Sequence, residues 1–402
     1  MRLLSTTRAL LTLAVLALLS TACLQDDSVV SYQHYSEQEF QVISQSLNLP
    51  VERDHYGVQM AEHMLRAGAQ PPTLNDAKAT LGRVLFYDTK LSQNNSVSCA
   101  SCHHQDLAFS DNKALSEGFD GGLTKRNSLA LAATANFSSS YGDGGPNGGP
   151  VVDIIGFPGG SIGFFWDERA GTIAHQSSLT IEDPIEMGMN LNELTAKLAQ
   201  EEYYRILFQK AYGDELVSAD RITDALQEFV NSFVSVGSRF DEGLNNVPSP
   251  QVSFANFTSQ ENLGKDLFQA NCASCHGADM TFPSGMNMAN NGLDLVYEDK
   301  GLGEHTGLEE NFGIFKIPFL RNVALTGPYM HDGRFATLEE VVDHYSSGIQ
   351  AHENLSPQLR EVNGQPLRMN FTDEEKAALV AFLETLTDPG FAQDVRYSDP
   401  FR

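Results

Sequence analysis

The sequence predicts a mainly α fold of two similar halves facing each other, with long loops. Three observations carry that expectation. The motif Cys-Ala-Ser-Cys-His occurs twice, at Cys99–His103 and Cys272–His276. A short amphipathic helical pattern precedes each copy: Leu81-Gly82-Arg83-Val84-Leu85-Phe86 and Leu263-Gly264-Lys265-Asp266-Leu267-Phe268, with apolar residues at i and i+4. A second apolar stripe closes each half, at Ile222, Leu226, Phe229, Val230 and Phe233 and then at Leu379, Phe382, Leu383 and Leu386. Within the stripes, Ala225-Leu226-x-x-Phe229 matches Ala378-Leu379-x-x-Phe382.

Composition bounds the answer. The 402 residues are 41% hydrophobic and 19% charged, a globular balance with room for a sizeable core. With 52 acidic against 26 basic residues the formal charge is −26, which excludes a general nucleic-acid binder and argues against charge-driven docking on anionic lipid. An acidic surface suits a basic partner protein, although many soluble proteins are acidic without one.

Residues 1–22 read as a secretory signal. Arg2 and Arg8 precede an apolar run from Ala9 to Leu19, and Ser20-Thr21-Ala22 supplies small residues for cleavage before Cys23. The run is too short to span a bilayer. Cys23 stands where lipoproteins carry their lipidated cysteine, although Ser20 occupies the place usually held by Leu; plain cleavage after Ala22 is the alternative. Both readings send the mature chain to the periplasm, one of them with a lipid anchor.

The remaining cysteines, Cys99, Cys102, Cys272 and Cys275, form the repeated motif. C-x-x-C-H is the attachment signature of c-type haem: two thiols add to the porphyrin vinyl groups and the adjacent imidazole ligates the iron. A thioredoxin-like pair needs no histidine, a zinc site of two C-x-x-C pairs leaves both histidines idle, and disulfides across so short a spacing are poor staples. Two covalently bound haem c groups are expected, on Cys99, Cys102 and His103 and on Cys272, Cys275 and His276.

The chain divides into a segment 23–70, a first haem domain 71–245, a second 246–392 and a tail 393–402, with Asn245-Asn246-Val247-Pro248-Ser249-Pro250 as linker. Capping boxes open helices at Thr258-x-x-Glu261, Thr337-x-x-Glu340 and Thr372-x-x-Glu375. Tyr141 to Gly163 holds nine glycines and reads as a loop.

Three further segments carry a resemblance beyond the haem motifs: Phe165-Trp166-Asp167-Glu168-Arg169-Ala170, Asp183-Pro184-Ile185-Glu186-Met187, and Leu320-Arg321-Asn322-Val323-Ala324-Leu325-Thr326-Gly327-Pro328-Tyr329-Met330-His331-Asp332-Gly333. With the two haem motifs they make residues 74–390 resemble the bacterial di-haem cytochrome c peroxidase/MauG family. The resemblance implies two cytochrome c-like domains with both haems buried near their interface and peroxide chemistry at the N-terminal haem. It implies His103 as proximal ligand there, with Gln176 and Glu186 on the opposite face. Heterolysis needs a proton taken from one peroxide oxygen and given to the other; a carboxylate can do both. Glu186 is expected to shuttle that proton and Gln176 to orient peroxide or water. Outside the family frame, Glu186 would read as a solvated loop residue. Trp166 is implied as an electron relay between haems, a role compatible with an ordinary core aromatic. Calcium between the domains is implied at Asn127, Thr326 and Pro328, the last two through backbone carbonyls.

Two departures from the simple peroxidase pattern stand out. The resemblance places a Met ligand for the second haem fourteen residues after His331, and that position is Tyr345, as in MauG-like members; Met286, Met288 and Met330 are rival ligands. Thioether raises a haem potential, whereas phenolate favours higher iron oxidation states. Second, no histidine lies between Gln105 and Ala174 to block the peroxide site. His104 follows the proximal ligand and His175 adjoins Gln176. An open, high-spin first haem is expected.

The leading reading is a peroxidase that reduces hydrogen peroxide with electrons from a donor protein, a small cytochrome or cupredoxin, relayed through the second haem. A MauG-like enzyme oxidising residues of a partner protein is the alternative. A non-catalytic di-haem electron carrier is the second, and the Gln176–Glu186 pair speaks against it.

Overall fold

The computed structural model describes residues 35–52, 54–57, 59–69, 71, 73–132, 163–281 and 287–402. The expected signal segment, Cys23, Met286 and all of the Gly-rich stretch except Gly163 lie outside the described residues. Among these residues the protein is helical, with one two-stranded antiparallel sheet, Met288–Ala289 (β1) against Phe315–Lys316 (β2). No described helix is long and apolar enough to cross a membrane.

The helices in chain order are α1 Glu37–Ser46, α2 Glu62–Arg66, α3 Asp76–Tyr87, α4 Ile173–Glu182, α5 Leu191–Leu198, α6 Glu202–Tyr212, α7 Ala219–Asn231, α8 Arg239–Asn245, α9 Ser259–Asn271, α10 Ala273–His276, α11 Leu302–Thr306, α12 Leu338–Asp343 and α13 Asp373–Glu384. The capping boxes expected at Thr258, Thr337 and Thr372 form at the starts of α9, α12 and α13. Each satisfies backbone N–H groups that a helix start leaves without partners.

The internal repeat has a packing cause. Helix α3 crosses α7 in the first half, and α9 crosses α13 in the second. A Cβ built on Gly82 would overlap the Ala225 carbonyl oxygen and lie 2.7 Å from Phe229 Cβ. A Cβ on Gly264 would overlap the Ala378 carbonyl oxygen and lie 2.8 Å from Phe382 Cβ. The glycine in Leu-Gly and the Ala-Leu-x-x-Phe pattern are therefore the two sides of one crossing, made twice. Each crossing sits just ahead of a C-x-x-C-H turn, so it sets where that turn begins.

The two copies differ in detail. In α3 both Leu81 and Leu85 are buried, as the pattern suggests. In α9 Leu263 is 37% exposed, and the buried face is Gly264, Lys265 and Phe268. The i, i+4 apolar pair expected there is displaced because Lys265 takes the inner position. Its ammonium donates to Pro250 O at 2.6 Å and pairs with Asp266 at 2.7 Å. The equivalent Arg83 is also buried and donates to Ser398 O at 2.7 Å and to Asp54 at 2.9 Å. A buried cation thus fastens a flanking strand of chain in both halves, and its hydrogen bonds offset its desolvation.

The first core includes every stripe residue of α7 and a nest of aromatic rings. Phe391 and Tyr397 join that nest from the far end of the chain, and the Tyr397 hydroxyl donates to Ser232 O at 2.7 Å. The last residues therefore return to the first half. The second core gathers Phe268, Phe382 and Leu383 with Phe240 and Leu244 of α8. The division read at 245/246 coincides with the end of α8, while α8 itself packs on the second core. Between the cores, His63 of α2 and Arg321 both bond Asp241, each at 2.8 Å. Burial opposes the Asp241 charge, but Arg321 and His63 overcome it and hold the carboxyl below the usual range.

Replacing Gly264 with Ala should destabilise the holoprotein by about 1–3 kcal/mol, the usual cost of overpacking a tight contact. Differential scanning calorimetry should show the lowered midpoint. The same change at Gly171, where nothing lies within 4 Å of the built Cβ and φ is not positive, gives the comparison without strain.

Candidate active site

Both C-x-x-C-H turns present the same donor set. All four cysteines are free of disulfides. Burial pushes the Cys99 and Cys272 thiols up to about 12 and Cys102 to about 11, so they stand as neutral thiols. His103 Nδ1 meets Phe109 O at 2.8 Å, and His276 Nδ1 meets Pro318 O at 3.1 Å. A carbonyl can only accept, so Nδ1 carries the hydrogen and the Nε2 lone pair remains for a metal. Burial lowers the proton affinity of both imidazoles, which keeps that lone pair available. Two thiols, a neutral imidazole and a fixed tautomer at each turn fit covalently attached haem.

A cavity of about 660 Å³ opens beside the first turn. Cys99, Cys102 and His103 wall it, together with apolar side chains that include Phe86, Val97, Ile173, Leu226 and Val230. Gln176, Trp166, Glu186, Asn127, Thr326 and Pro328 line the same space. The structure thus gathers around one cavity the residues expected for peroxide chemistry, the relay and the cation.

Helix α4 supplies Gln176. Its start is capped by Thr172, whose side chain accepts from His175 N, and it buries Ile173 and Ile181. Glu186 follows on a tight turn. Asp183 Oδ1 accepts from the backbone N–H groups of Ile185 at 2.8 Å and Glu186 at 3.0 Å. Phe119 N donates to Glu186 O at 3.0 Å. That approach requires Gly118, since a Cβ there would overlap Ile185 O. Burial raises the Glu186 carboxyl to about 7, and Asp183 adds to the rise; Thr180 and Arg169 oppose it.

Thr180 is the site residue that sequence reasoning missed. Its Oγ1 accepts from Gln176 Nε2 at 3.0 Å, and it lines the same cavity as Glu186. The available signal was its spacing: Thr180 lies one helical turn after Gln176 and so shares its face.

Trp166 sits on a loop between the two turns and is 9% exposed. Its indole Nε1 donates to Asn127 O at 2.8 Å. The next residue, Ser128, places Oγ 3.3 Å from His103 Nδ1 and donates to Cys102 O at 2.8 Å. On the other side, Lys316 N donates to Trp166 O at 2.7 Å. Two residues on, Pro318 O receives His276. A run of covalent and hydrogen bonds therefore joins the two haem-attachment histidines through Trp166.

Phe165 and Glu168 in this loop have φ of +68° and +53°, the left-handed region. Non-glycine residues enter it at a cost of order 1–3 kcal/mol. Surrounding ion pairs offset that strain: Arg126 bonds Asp167 at 2.6 Å and Asp299 through two contacts at 2.7 Å, and Lys316 meets Glu168 at 3.0 Å.

Tyr345 lies near the second turn. It falls in a π-helical turn, His344–Gly348, that continues α12, a local irregularity that often marks functional positions. Burial pushes its phenol up to about 12, Asn291 opposes the rise, and Cys272 and Cys275 are close enough to add to it. Of the rival ligands, Met330 accepts from Asn291 Nδ2 at 3.6 Å and lines the first cavity beside Trp166. Met288 lies in β1.

His104 is half-exposed, with Nε2 3.9 Å from Asp111, and neither it nor the exposed His175 lines the cavity. Besides His103, the histidine on its wall among the described residues is His305, exposed on α11.

Comparison with known proteins agrees with this architecture. Residues 76–248 match the family of the di-haem cytochrome c peroxidases, and residues 262–387 match cytochrome c. The chain belongs to the di-haem cytochrome c peroxidase/MauG family, as an oxidoreductase of the peroxidase type carrying two haem c groups. It is 32% identical over 323 residues to the cytochrome c551 peroxidase of Nitrosomonas europaea, covering 78% of this chain and 80% of that one. It is 29% identical over 327 residues to the methylamine utilization protein MauG of Methylophilus methylotrophus, covering 79% and 84%. A crystal structure of a MauG-like protein associated with microbial copper homeostasis aligns with TM-score 0.68 and 31% identity, over 83% of this chain and 96% of that one.

Substituting Ser for both Cys272 and Cys275 should halve the covalent haem content. A pyridine haemochrome assay against protein mass should fall from two haems per chain to one, and an unchanged value would contradict attachment at this turn.

Proposed function

We propose that this protein reduces hydrogen peroxide at the haem on Cys99, Cys102 and His103, with electrons arriving through the haem on Cys272, Cys275 and His276. One observation carries the reading: Glu186, with a carboxyl raised to about 7, lines the cavity walled by the first attachment turn. A carboxyl that titrates near neutrality can accept a proton and return it within one turnover. The haem, when bound, supplies the metal at which the O–O bond is cleaved and holds the oxidising equivalents.

The protein's own part is positional and acid–base. Glu186 as carboxylate takes the proton from one peroxide oxygen and, as carboxylic acid, delivers it to the leaving oxygen as water forms. Gln176 offers amide hydrogen bonds that orient the peroxide. Trp166 is our relay residue, supported by its bonds to Asn127 and Lys316. An open first haem is our reading on the Glu186 side, supported by the placement of His104 and His175 away from the cavity wall.

Tyr345 is our candidate for the second ligand of the C-terminal haem, supported by its burial beside Cys272 and Cys275. That same observation favours a second reading, in which oxidising equivalents shared between the haems act on a partner protein, as the resemblance to MauG suggests. A phenolate ligand lowers the potential relative to thioether and so disfavours simple entry of electrons from a high-potential donor. On the peroxidase reading the donor is a small cytochrome or cupredoxin.

Calcium is assigned to Asn127, Thr326 and Pro328. The Asn127 amide nitrogen donates to Lys113 O at 3.0 Å and Ala114 O at 3.3 Å, which leaves its oxygen for a hard cation. Among the described residues no cluster of three His, Cys, Asp or Glu side chains offers an alternative metal site. The signal layout of residues 1–22 and the c-type attachment chemistry support a periplasmic location, with Cys23 as its lipid anchor.

Stopped-flow mixing of ferric protein with peroxide tests the acid–base role. Below about pH 7 Glu186 is neutral and cannot accept a proton, so the bimolecular rate should rise as pH increases through that value. Glu186→Gln should slow the reaction by roughly 10²–10⁴-fold and flatten the profile, with both haems still attached. Undiminished reactivity would remove Glu186 from the mechanism. Tyr345→Met should raise the potential of the second haem in a spectroelectrochemical titration, and an unmoved potential would point to another ligand.

A further inference from the structure

The loop between β1 and α11 carries a feature that the peroxide site does not use. Leu295 and Val296 are 60% and 83% exposed, and among the described residues they are the one adjacent pair of exposed large apolar side chains. Single exposed apolar residues are ordinary on a protein surface, whereas neighbours at one loop tip suit contact with another molecule. The next residue, Tyr297, is buried and begins a line of aromatic rings that runs inward. Its ring centroid is 6.1 Å from that of Phe315. Phe315 stacks on His331 at 3.8 Å, with planes 16° apart. His331 lies edge-to-face with Trp166, centroids 6.5 Å apart. Backbone bonds fix the inner end: Asn127 N donates to His331 O at 2.8 Å, and Asn127 O accepts from Trp166 Nε1. We propose that this loop tip is an electron-exchange surface: a small basic redox protein seats on Leu295 and Val296, and electrons pass from it through Tyr297, Phe315 and His331 to Trp166. The inference rests on the relay role given to Trp166 and on the donor protein of the peroxidase reading, and adds where that donor binds.

The shape of the loop explains why the tip is outside and the tyrosine inside. Tyr297 Oη accepts from Leu293 N at 3.0 Å and donates to Asn290 Oδ1 at 3.3 Å, which closes the chain around the phenol. Arg334 holds the outer side through the Asp294 carboxylate, at 2.7 and 3.0 Å. The start of the loop is tied to the π-helical turn that carries Tyr345 and to the residues just after it. His344 Nε2 donates to Asn291 O at 3.0 Å, and Gln350 N donates to Gly292 O at 2.8 Å. The loop therefore touches both the Trp166 seam and the turn assigned to the second haem, where electrons enter on the peroxidase reading.

Charge selects the partner. Glu298 follows the tyrosine, and Glu353 follows His352, whose ring lies 5.1 Å from that of Tyr297. Both glutamates are exposed. Of the nearby cations, Arg334 is paired with Asp294 and Asp332, and Lys300 lies over the Phe312 ring at 4.3 Å. With a chain charge of −26, a basic docking face meets attraction and an acidic one meets repulsion. An apolar tip in a charged rim gives the small contact typical of transient electron transfer. Each encounter passes one electron, so two reduced partner molecules are oxidised for each peroxide, which takes up two protons and leaves as two waters.

The test uses ferric mitochondrial cytochrome c, a small basic redox protein, titrated calorimetrically into the holoprotein at low ionic strength. Val296→Lys removes apolar contact and adds repulsion. It should weaken binding by about tenfold or more, the equivalent of one buried aliphatic side chain. Leu216→Lys, at an exposed position between α6 and α7, should leave binding unchanged. With ferrous cytochrome and peroxide, Val296→Lys should raise KM. Tyr297→Leu should instead lose most of kcat, while Tyr297→Phe, which keeps the ring, should retain it. A wild-type protein that does not bind the cytochrome, a Val296→Lys variant that binds it as tightly, or a Tyr297→Leu variant with full kcat would overturn the proposal. Should Tyr297→Leu fail to take up two haems, the binding titration of the exposed variants decides alone. Failure of the peroxide reading would show separately, as ferric protein inert to peroxide, and would leave the binding result standing.

Discussion

The seam around Trp166 is the constraint on which the rest of the molecule depends. One half of the protein accepts the indole hydrogen through Asn127 O, and the other donates Lys316 N to the Trp166 carbonyl. Each contact is within two residues of a group bonded to a haem-attachment histidine, so one loop ties the two attachment histidines together. That loop pays for its shape with left-handed backbone at Phe165 and Glu168. It is held there by ion pairs from both halves, Arg126 to Asp299 among them. Pairs this well buried are costly to break singly, because each would leave a charge without its partner.

The peroxide pocket follows a related logic at smaller scale. A carboxylate in a largely apolar cavity is unstable as an anion, which is why Glu186 titrates near neutrality. The backbone around it is rigid because Asp183 caps the turn and Phe119 ties its carbonyl. A backbone held in this way suits a group that must take and return a proton at one place. Local destabilisation of the charged form is here the source of function, as buried carboxylates in active sites often show.

How much of this was legible in the sequence depended on range. The C-x-x-C-H motifs, the capping boxes and the amphipathic stripes are local chemistry, and they appear where their spacing places them. The Gly82 and Gly264 crossings were visible as a repeat but not as packing, since a lone sequence does not show which glycine meets which carbonyl. Lys265 displaced Leu263 from the buried face of α9 because a partner carbonyl at Pro250 was waiting for it. The return of Phe391 and Tyr397 to the first core joins residues more than a hundred positions apart and left no local sign. Thr180 was hidden for a different reason: a threonine inside a helix has no signature until Gln176, whose amide it receives, is known to matter.

Two covalent haems, one of them open towards Glu186, is the claim from which the functional reading descends. Low-temperature EPR of the resting ferric protein, before and after one equivalent of peroxide, tests it most directly. One high-spin and one low-spin signal of equal intensity, both lost on adding peroxide, is the predicted result. Two low-spin signals that persist in its presence would contradict it.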